Sequence, residues 1–261
     1  MEEAVAESPA GPAGLSLSVD GRLAYAADTG YGRAVYVTRL REPATSPIAE
    51  NATQPAMTPD GRTVLFRRTQ DGGIWRANVD GSDVRRVIEG RIGHGPILVA
   101  PDFTRFVFTR FDEPAATRVL EIASLAGGNS HVLATAPTMS ATWPPFVSPD
   151  GRRVRFFFTE RDKGVVVECD LPDCSNTRRD PPLGGTGPGL AWTPDGKLIA
   201  FVERDDSANV TIRPVSGGAA RRLTSFKDQE ITALAWSPDG KRLILNRRVV
   251  LPDIVLVKGV R

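Results

Sequence analysis

Very few side chains in this sequence of 261 residues could carry acid–base or redox chemistry, and their positions limit what they could do. There are two histidines, His94 in Gly93-His94-Gly95-Pro96 and His131 in a polar run, and neither has a second titratable group at fixed spacing. The two cysteines form the unit Cys169-Asp170-Leu171-Pro172-Asp173-Cys174. Pro172 and Asp173 are turn formers that can fold the segment back and bring the thiols within bridging reach. The reading taken is a Cys169–Cys174 disulfide and an oxidising compartment; the alternative is two free cytosolic thiols. Two sulfurs with no histidine nearby are half a tetrahedral shell, so zinc is not expected. No Gly-x-Ser-x-Gly elbow, phosphate loop ending in Lys-Ser/Thr or His-Glu-x-x-His helix occurs. The expectation is a protein that is not an enzyme, with no cofactor and no bound metal.

The elements that position these residues recur. Short turn units are centred on Asp20, Asp60, Asp102, Asp150, Asp195 and Asp239, which are 40 to 48 residues apart. Stepping from Asp239 to Asp20 through the joined termini covers 42 positions, the same period. Each unit joins two apolar runs of strand length, as in Ala233–Trp236 before Pro238-Asp239-Gly240 and Leu243–Leu245 after it. Proline presets the first turn position, aspartate bonds its own backbone, and glycine accepts positive φ, so each unit is a β-hairpin. A third, β-branched run follows, such as Val165–Glu168, and most repeats end in a polar fourth run such as Arg221–Thr224, suited to an outer edge. Four antiparallel strands per repeat are a propeller blade. The reading is an all-β, six-bladed β-propeller filling residues 1–261 as one domain. Its last blade lacks an outer strand, which Glu3–Glu7 is expected to supply, closing the ring.

The units Pro55-Ala-Met-Thr-Pro-Asp-Gly-Arg-Thr-Val-Leu-Phe66 and Ala191-Trp-Thr-Pro-Asp-Gly-Lys-Leu-Ile-Ala-Phe201, with Ser216-Gly-Gly-Ala-Ala-Arg-Arg-Leu-Thr224, resemble the TolB-like (WD40-like, Pro-Asp repeat) β-propellers over the entire chain. Blade three carries Phe103 in place of the turn glycine and blade one carries Val19 in place of the proline, leaving the local turn geometry open. The closing stretch from Glu230 to Arg261 also resembles the C-terminal propellers of bacterial serine/threonine kinases and of membrane-bound winged-helix regulators. That resemblance implies a sensory domain of a larger signalling protein, extracytoplasmic behind a membrane anchor; a cytoplasmic placement is the alternative.

Lysine and arginine total 33 against 31 acidic residues, so no nucleic-acid footprint is expected. The recurring arginine doublets, among them Arg67-Arg68, Arg85-Arg86 and Arg221-Arg222, are read as solvated, salt-bridged blade edges. No run approaches the length of a membrane span, and a monomer without direct membrane insertion is expected. Connectivity puts the Pro-Asp-Gly turns on one face and the approaches to the inner strands on the other, the funnel face. Thr53, Gln54, His94, Thr142, Trp143, Thr186 and Glu230 fall at those approaches and are the expected ligand contacts, a mix of amide, hydroxyl, imidazole and indole suited to a small polar ligand, a peptide or a protein partner. Trp143 could instead pack between blades, as Trp75, Trp192 and Trp236 are expected to do. Acids in the loops from second to third strands, such as Asp71, lie off the axis and are read as solvated rather than as a calcium site. The function expected is a non-catalytic sensor or interaction domain. The competing classes are a scaffold that docks a partner domain and a lyase or hydrolase acting in the funnel.

Overall fold

The computed structural model describes residues 14–249 except 40–41, 43–45, 91, 93–94, 113–116, 137–144, 161–162, 181–189, 205–206 and 228. Blade one is β1 (Leu15–Leu17), β2 (Arg22–Asp28), β3 (Arg33–Arg39) and β4 (Pro47–Glu50); blade two is β5 (Ala52–Met57), β6 (Thr63–Arg68), β7 (Ile74–Asn78) and β8 (Arg85–Ile88). Blade three is β9 (Leu98–Val99), β10 (Arg105–Asp112), β11 (Thr117–Ser124) and β12 (His131–Ala136). Blade four is β13 (Phe146–Val147), β14 (Arg153–Glu160), β15 (Lys163–Asp170) and β16 (Ser175–Asp180). Blade five is β17 (Leu190–Trp192), β18 (Leu198–Arg204), β19 (Ala208–Pro214) and β20 (Arg221–Arg222). Every strand pairs antiparallel with its sequence neighbour within the blade.

The blade count corrects the expectation of six. Five four-stranded blades are present, and the sixth repeat contributes a two-stranded sheet, β21 (Gln229–Trp236) with β22 (Leu243–Val249). The strands expected to complete it, at 254–257 and 3–7, lie outside the described residues.

Alternation along each strand sends one set of side chains toward the preceding blade and the other toward the following one. Val64 and Phe66 of β6 pack with Ala24, Ala26 and Val35 of blade one, whereas Leu65 packs with Phe106 and Phe108 of blade three. Val107, Leu120 and Ile122 meet Val154, Phe156 and Val167 across the next boundary, and Phe146 stacks on Trp192 across the one after it at 5.1 Å. Val202 and Val210 then pack with Ile231 of β21, and the Trp236 indole N–H donates to the Ala191 carbonyl at 3.2 Å. Ile244 of β22 lies against Leu17, Leu23 and Tyr25 of blade one, so the two-stranded sheet sits between blades five and one. Phe66, Phe106 and Phe108 are fully buried, each contributing roughly 2–3 kcal/mol of transfer free energy.

Two carboxylates sit inside this stack. Glu121 of β11 accepts from Arg110 at 2.7 Å and from the Ser130 hydroxyl; Glu168 of β15 accepts from Arg153 at 3.1 Å and from Arg155. Both are buried, and the facing guanidiniums keep them from being unpaired charges in an apolar stack.

On the lower face, one hydrogen-bond plan recurs. In five of the six turns the hydroxyl two residues before the aspartate donates to its carboxylate at 2.5–2.6 Å, from Ser18 to Asp20, Thr58 to Asp60, Ser148 to Asp150, Thr193 to Asp195 and Ser237 to Asp239. That hydroxyl also accepts the backbone N–H at the start of the returning strand, as from Leu198 to Thr193 at 3.0 Å. Both substituted turns keep the fold of the others: the N–H of Gly21 reaches the Ser18 carbonyl at 3.2 Å, and that of Phe103 reaches the Ala100 carbonyl at 3.0 Å. Phe103 does so by adopting φ +59, the left-handed region that glycine occupies in the other turns.

Candidate functional site

The described part of the funnel face is centred on the upper corner of blade two. Ala52 pairs with Arg68 and Thr53 with Arg67, but the next paired residue is Ala56, opposite Leu65. Gln54 and Pro55 therefore oppose the single residue Phe66, forming a β-bulge. Pro55 has no N–H to donate there, and Gln54 turns the chain at φ +54. Gly14 lies against the bulge, and a Cβ there would stand 3.2 Å from Pro55 Cδ.

The bulge buries the Gln54 Oε1 atom without a hydrogen-bond donor among the described residues. At the same corner, the end of β6 and the start of β7 carry Arg67, on the blade-three side with Thr53, and Arg68 and Trp75, on the blade-one side with Phe66. Arg67, opposite Thr53, is half-buried, and burial holds its pKa below the usual arginine value. The Arg68 guanidinium lies 4.2 Å from the centroid of the Trp75 ring. The Trp75 indole N–H donates to Asp71 Oδ2 at 3.0 Å, and Asp71 Oδ1 accepts the Gly73 N–H at 2.9 Å. Asn51, at φ +51, has its carbonyl held by the N–H and the hydroxyl of Thr69 at 2.8 and 3.1 Å, fixing the approach to β5 beside the loop after β6. The arrangement offers an acceptor, fixed planar donors and an aromatic face. Such groups can orient a polar ligand.

Of the expected ligand contacts, Gln54 is at this corner. Thr53 is not available there: it is buried at 7% exposure inside β5, because the strand begins at Ala52, earlier than its apolar residues suggest. Glu230 lies half-buried near the funnel end of β21, paired through its backbone with Arg248. His94, Thr142, Trp143 and Thr186 lie outside the described residues. His131 is exposed in β12. Among the described residues no group of three or more His, Cys, Asp or Glu side chains is arranged to hold a metal ion.

The structure also revises the reading of the arginine doublets. Arg85-Arg86 and Arg221-Arg222 are in outer strands, but Arg67-Arg68 closes a second strand, where a blade-edge reading fails. The signal that separates them is the preceding Val64-Leu65-Phe66, an all-buried run that marks an interior strand. Asp71 is likewise engaged with Trp75 rather than solvated. Cys169 and Cys174 are joined as a disulfide with Cα atoms 4.8 Å apart, across the lower-face loop from β15 to β16, where Leu171-Pro172 is cis.

TolB of Acinetobacter baumannii superposes with TM-score 0.63 over 79% of this chain and 52% of that one, at 16% identity. An oligogalacturonate lyase of Vibrio parahaemolyticus superposes with TM-score 0.63 over 91% of this chain and 70% of that one, at 15% identity. The chain has a TolB-like propeller fold. At these identities the likeness is one of fold alone. No protein-family model matches the chain. Among curated proteins, the uncharacterised peptidase YuxL of Bacillus subtilis is 35% identical over 57 residues, which are 21% of this chain and 8% of that protein. The uncharacterised protein Atu1656 of Agrobacterium fabrum is 32% identical over 121 residues, 41% of this chain and 40% of that protein. The chain thus matches less than half the length of either curated relative. Among the described residues, no helix is long and apolar enough to cross a membrane.

Proposed function

We propose that this propeller is a non-catalytic binding domain that takes a small polar ligand or a peptide at the funnel face, with the upper corner of blade two as part of the contact surface. The observation that carries the reading is the buried Gln54 Oε1, left without a donor among the described residues on a bulge against which Gly14 lies. A buried acceptor costs about 1–3 kcal/mol when unmatched, so a ligand N–H or O–H arriving there recovers that cost. The Arg68–Trp75 stack at the same corner supplies directional donors and a flat apolar surface, and Arg67 supplies a further guanidinium on the blade-three side.

The disulfide supports an extracytoplasmic location, since such bonds persist in oxidising compartments. The greater length of the curated relatives is compatible with a sensory role within a larger signalling protein. The neighbouring lyases share only the fold, and the non-catalytic reading rests on the donors and acceptors at the blade-two corner.

The test is a binding screen of amides, amino acids and short peptides against the isotope-labelled domain, read by amide chemical shifts. Expected are saturable shifts at Gln54, Arg67, Arg68 and Trp75, lost in Gln54→Ala without a fall in melting temperature. Binding compounds whose shifts leave this corner untouched, or turnover of a compound in the screen, would refute the reading.

A further inference from the structure

Away from the funnel, the flank of blade four that faces blade five holds a polar cleft of about 530 Å³, lined by Arg153, Glu168, Asp170, Asn176, Thr177 and Arg178. Its charges come from three adjacent strands. Arg153 of β14 pairs across the ladder with Asp170, Arg155 with Glu168, and Glu168 in turn with Arg178 of β16. Cross-strand partners project to the same side of a sheet, so these five charges share one flank. Arg155 reaches from it toward blade five, its guanidinium 5.7 Å from the Trp192 ring centroid.

The two carboxylates are already engaged. Glu168 is held by Arg153 and Arg155. Asp170 Oδ2 accepts from the Asn176 amide at 2.8 Å. Three guanidiniums against two carboxylates leave one cation in excess, and Arg178, exposed, has no ion-pair or side-chain hydrogen-bond partner among the described residues. The strand that carries it is fixed at its start: the Cys169–Cys174 bridge closes the hairpin, and the Thr177 hydroxyl donates to the Cys174 carbonyl at 3.2 Å. Asn176 turns the chain at φ +50 where the β15–β16 register shifts, so that its amide meets Asp170 within the cleft.

We propose that this cleft is a second binding site, for a small hydroxycarboxylate. Arg178 takes the carboxylate with two parallel N–H donors, the geometry a guanidinium offers and an ammonium does not. Asn176, Thr177 and Asp170 provide amide and oxygen partners for the hydroxyl groups, and the lining offers no aliphatic or aromatic wall for an apolar acid. A single excess cation matches a single carboxylate. Because Arg178 is exposed, the affinity is modest, in the millimolar range.

The experiment titrates the isotope-labelled domain, in its oxidised form, with L-lactate, with acetate and with chloride at constant ionic strength. Expected are saturable shifts of the Asn176, Thr177 and Arg178 amides with lactate, several-fold weaker binding of acetate, and no saturation with chloride. Arg178→Met, at an exposed outer-strand position, should abolish the lactate response, and Arg178→Lys should weaken it several-fold while the melting temperature stays unchanged. Shifts that persist in Arg178→Met, an equal response to chloride, or no saturable response to lactate would each overturn the assignment.

Discussion

The two faces of the ring are built on opposite plans. On the lower face, five of the six turns repeat the same hydroxyl-to-aspartate bond, and the sixth, in blade three, replaces it with Arg105 bonded to Asp102 at 2.6–2.9 Å. Neighbouring turns also touch: Val19 N–H donates to the Pro59 carbonyl at 2.8 Å, and Arg22 to the Gly61 carbonyl at 2.9 Å. On the funnel face, the corner of blade two combines a bulge, left-handed Asn51 and Gln54, and an acceptor with no donor among the described residues. Repetition there gives way to a local arrangement. The contrast teaches that the repeat sets the fold, and that departures from it mark the place to look for function.

The sharpest way to break the comparison is at turn contacts between blades. A Cβ at position 61 would stand 2.6 Å from Asp20 Oδ1 at φ +70, whereas at position 21 it would meet nothing within 4 Å. Gly61→Ala should therefore destabilise by about 3 kcal/mol, combining clash and backbone strain. Gly21→Ala, with strain alone, should cost about 1 kcal/mol. Equal losses in denaturant titrations would show that the lower turns do not pack on one another.

Next in size is Asp195→Ala, which removes the acceptor for Thr193 and for the Lys197 N–H; its carboxylate is largely exposed, so the loss should be roughly 1 kcal/mol. The same turns govern acid sensitivity. Hydrogen bonds from Ser18, Ser148, Thr193 and Ser237 hold Asp20, Asp150, Asp195 and Asp239 below the usual carboxylate pKa. At Asp102 burial pushes the pKa up, but bonds from Thr104 and Arg105 outweigh it. A lowered folded-state pKa means that this stability is fully present above the unfolded value of about 3.9 and is lost as pH falls through the lower folded values. Melting temperature should accordingly hold steady near neutrality and drop below about pH 4. Asp195→Ala should flatten that drop, which thermal scans across pH would check.

The smallest effect is expected at Phe103. It holds φ +59 in a turn where glycine is at ease, so Phe103→Gly should stabilise the fold by roughly 0.5–1 kcal/mol. A lower melting temperature for that variant would mean that the exposed ring contributes packing that outweighs the strain.

Much of the fold can be read from the sequence because period and turn chemistry are local. The spacing of the aspartates gives the blades, and the Pro-Asp unit between Cys169 and Cys174 gives a turn tight enough for the bridge. The site was less legible, because it depends on contacts between segments. Thr53 reads as a loop residue until the pairing of Ala52 with Arg68 extends β5 across it. Gln54 shows no sign in the sequence of the bulge that strands its carbonyl, which depends on Gly14 from the previous blade. Arg67 and Arg68 look like other arginine doublets until their strand is placed second rather than fourth.

A funnel face that binds and a lower face that stabilises should respond differently to substitution. The most direct measurement compares Gln54→Ala with Asp195→Ala, following both melting temperature and affinity for a ligand found in the amide-shift screen. Gln54→Ala should lose affinity about tenfold or more, as expected for a lost buried hydrogen bond, with no fall in melting temperature. Asp195→Ala should lose melting temperature and keep affinity. Lost affinity in a folded Asp195→Ala, with Gln54→Ala binding as the parent does, would place the working surface on the opposite side of the ring.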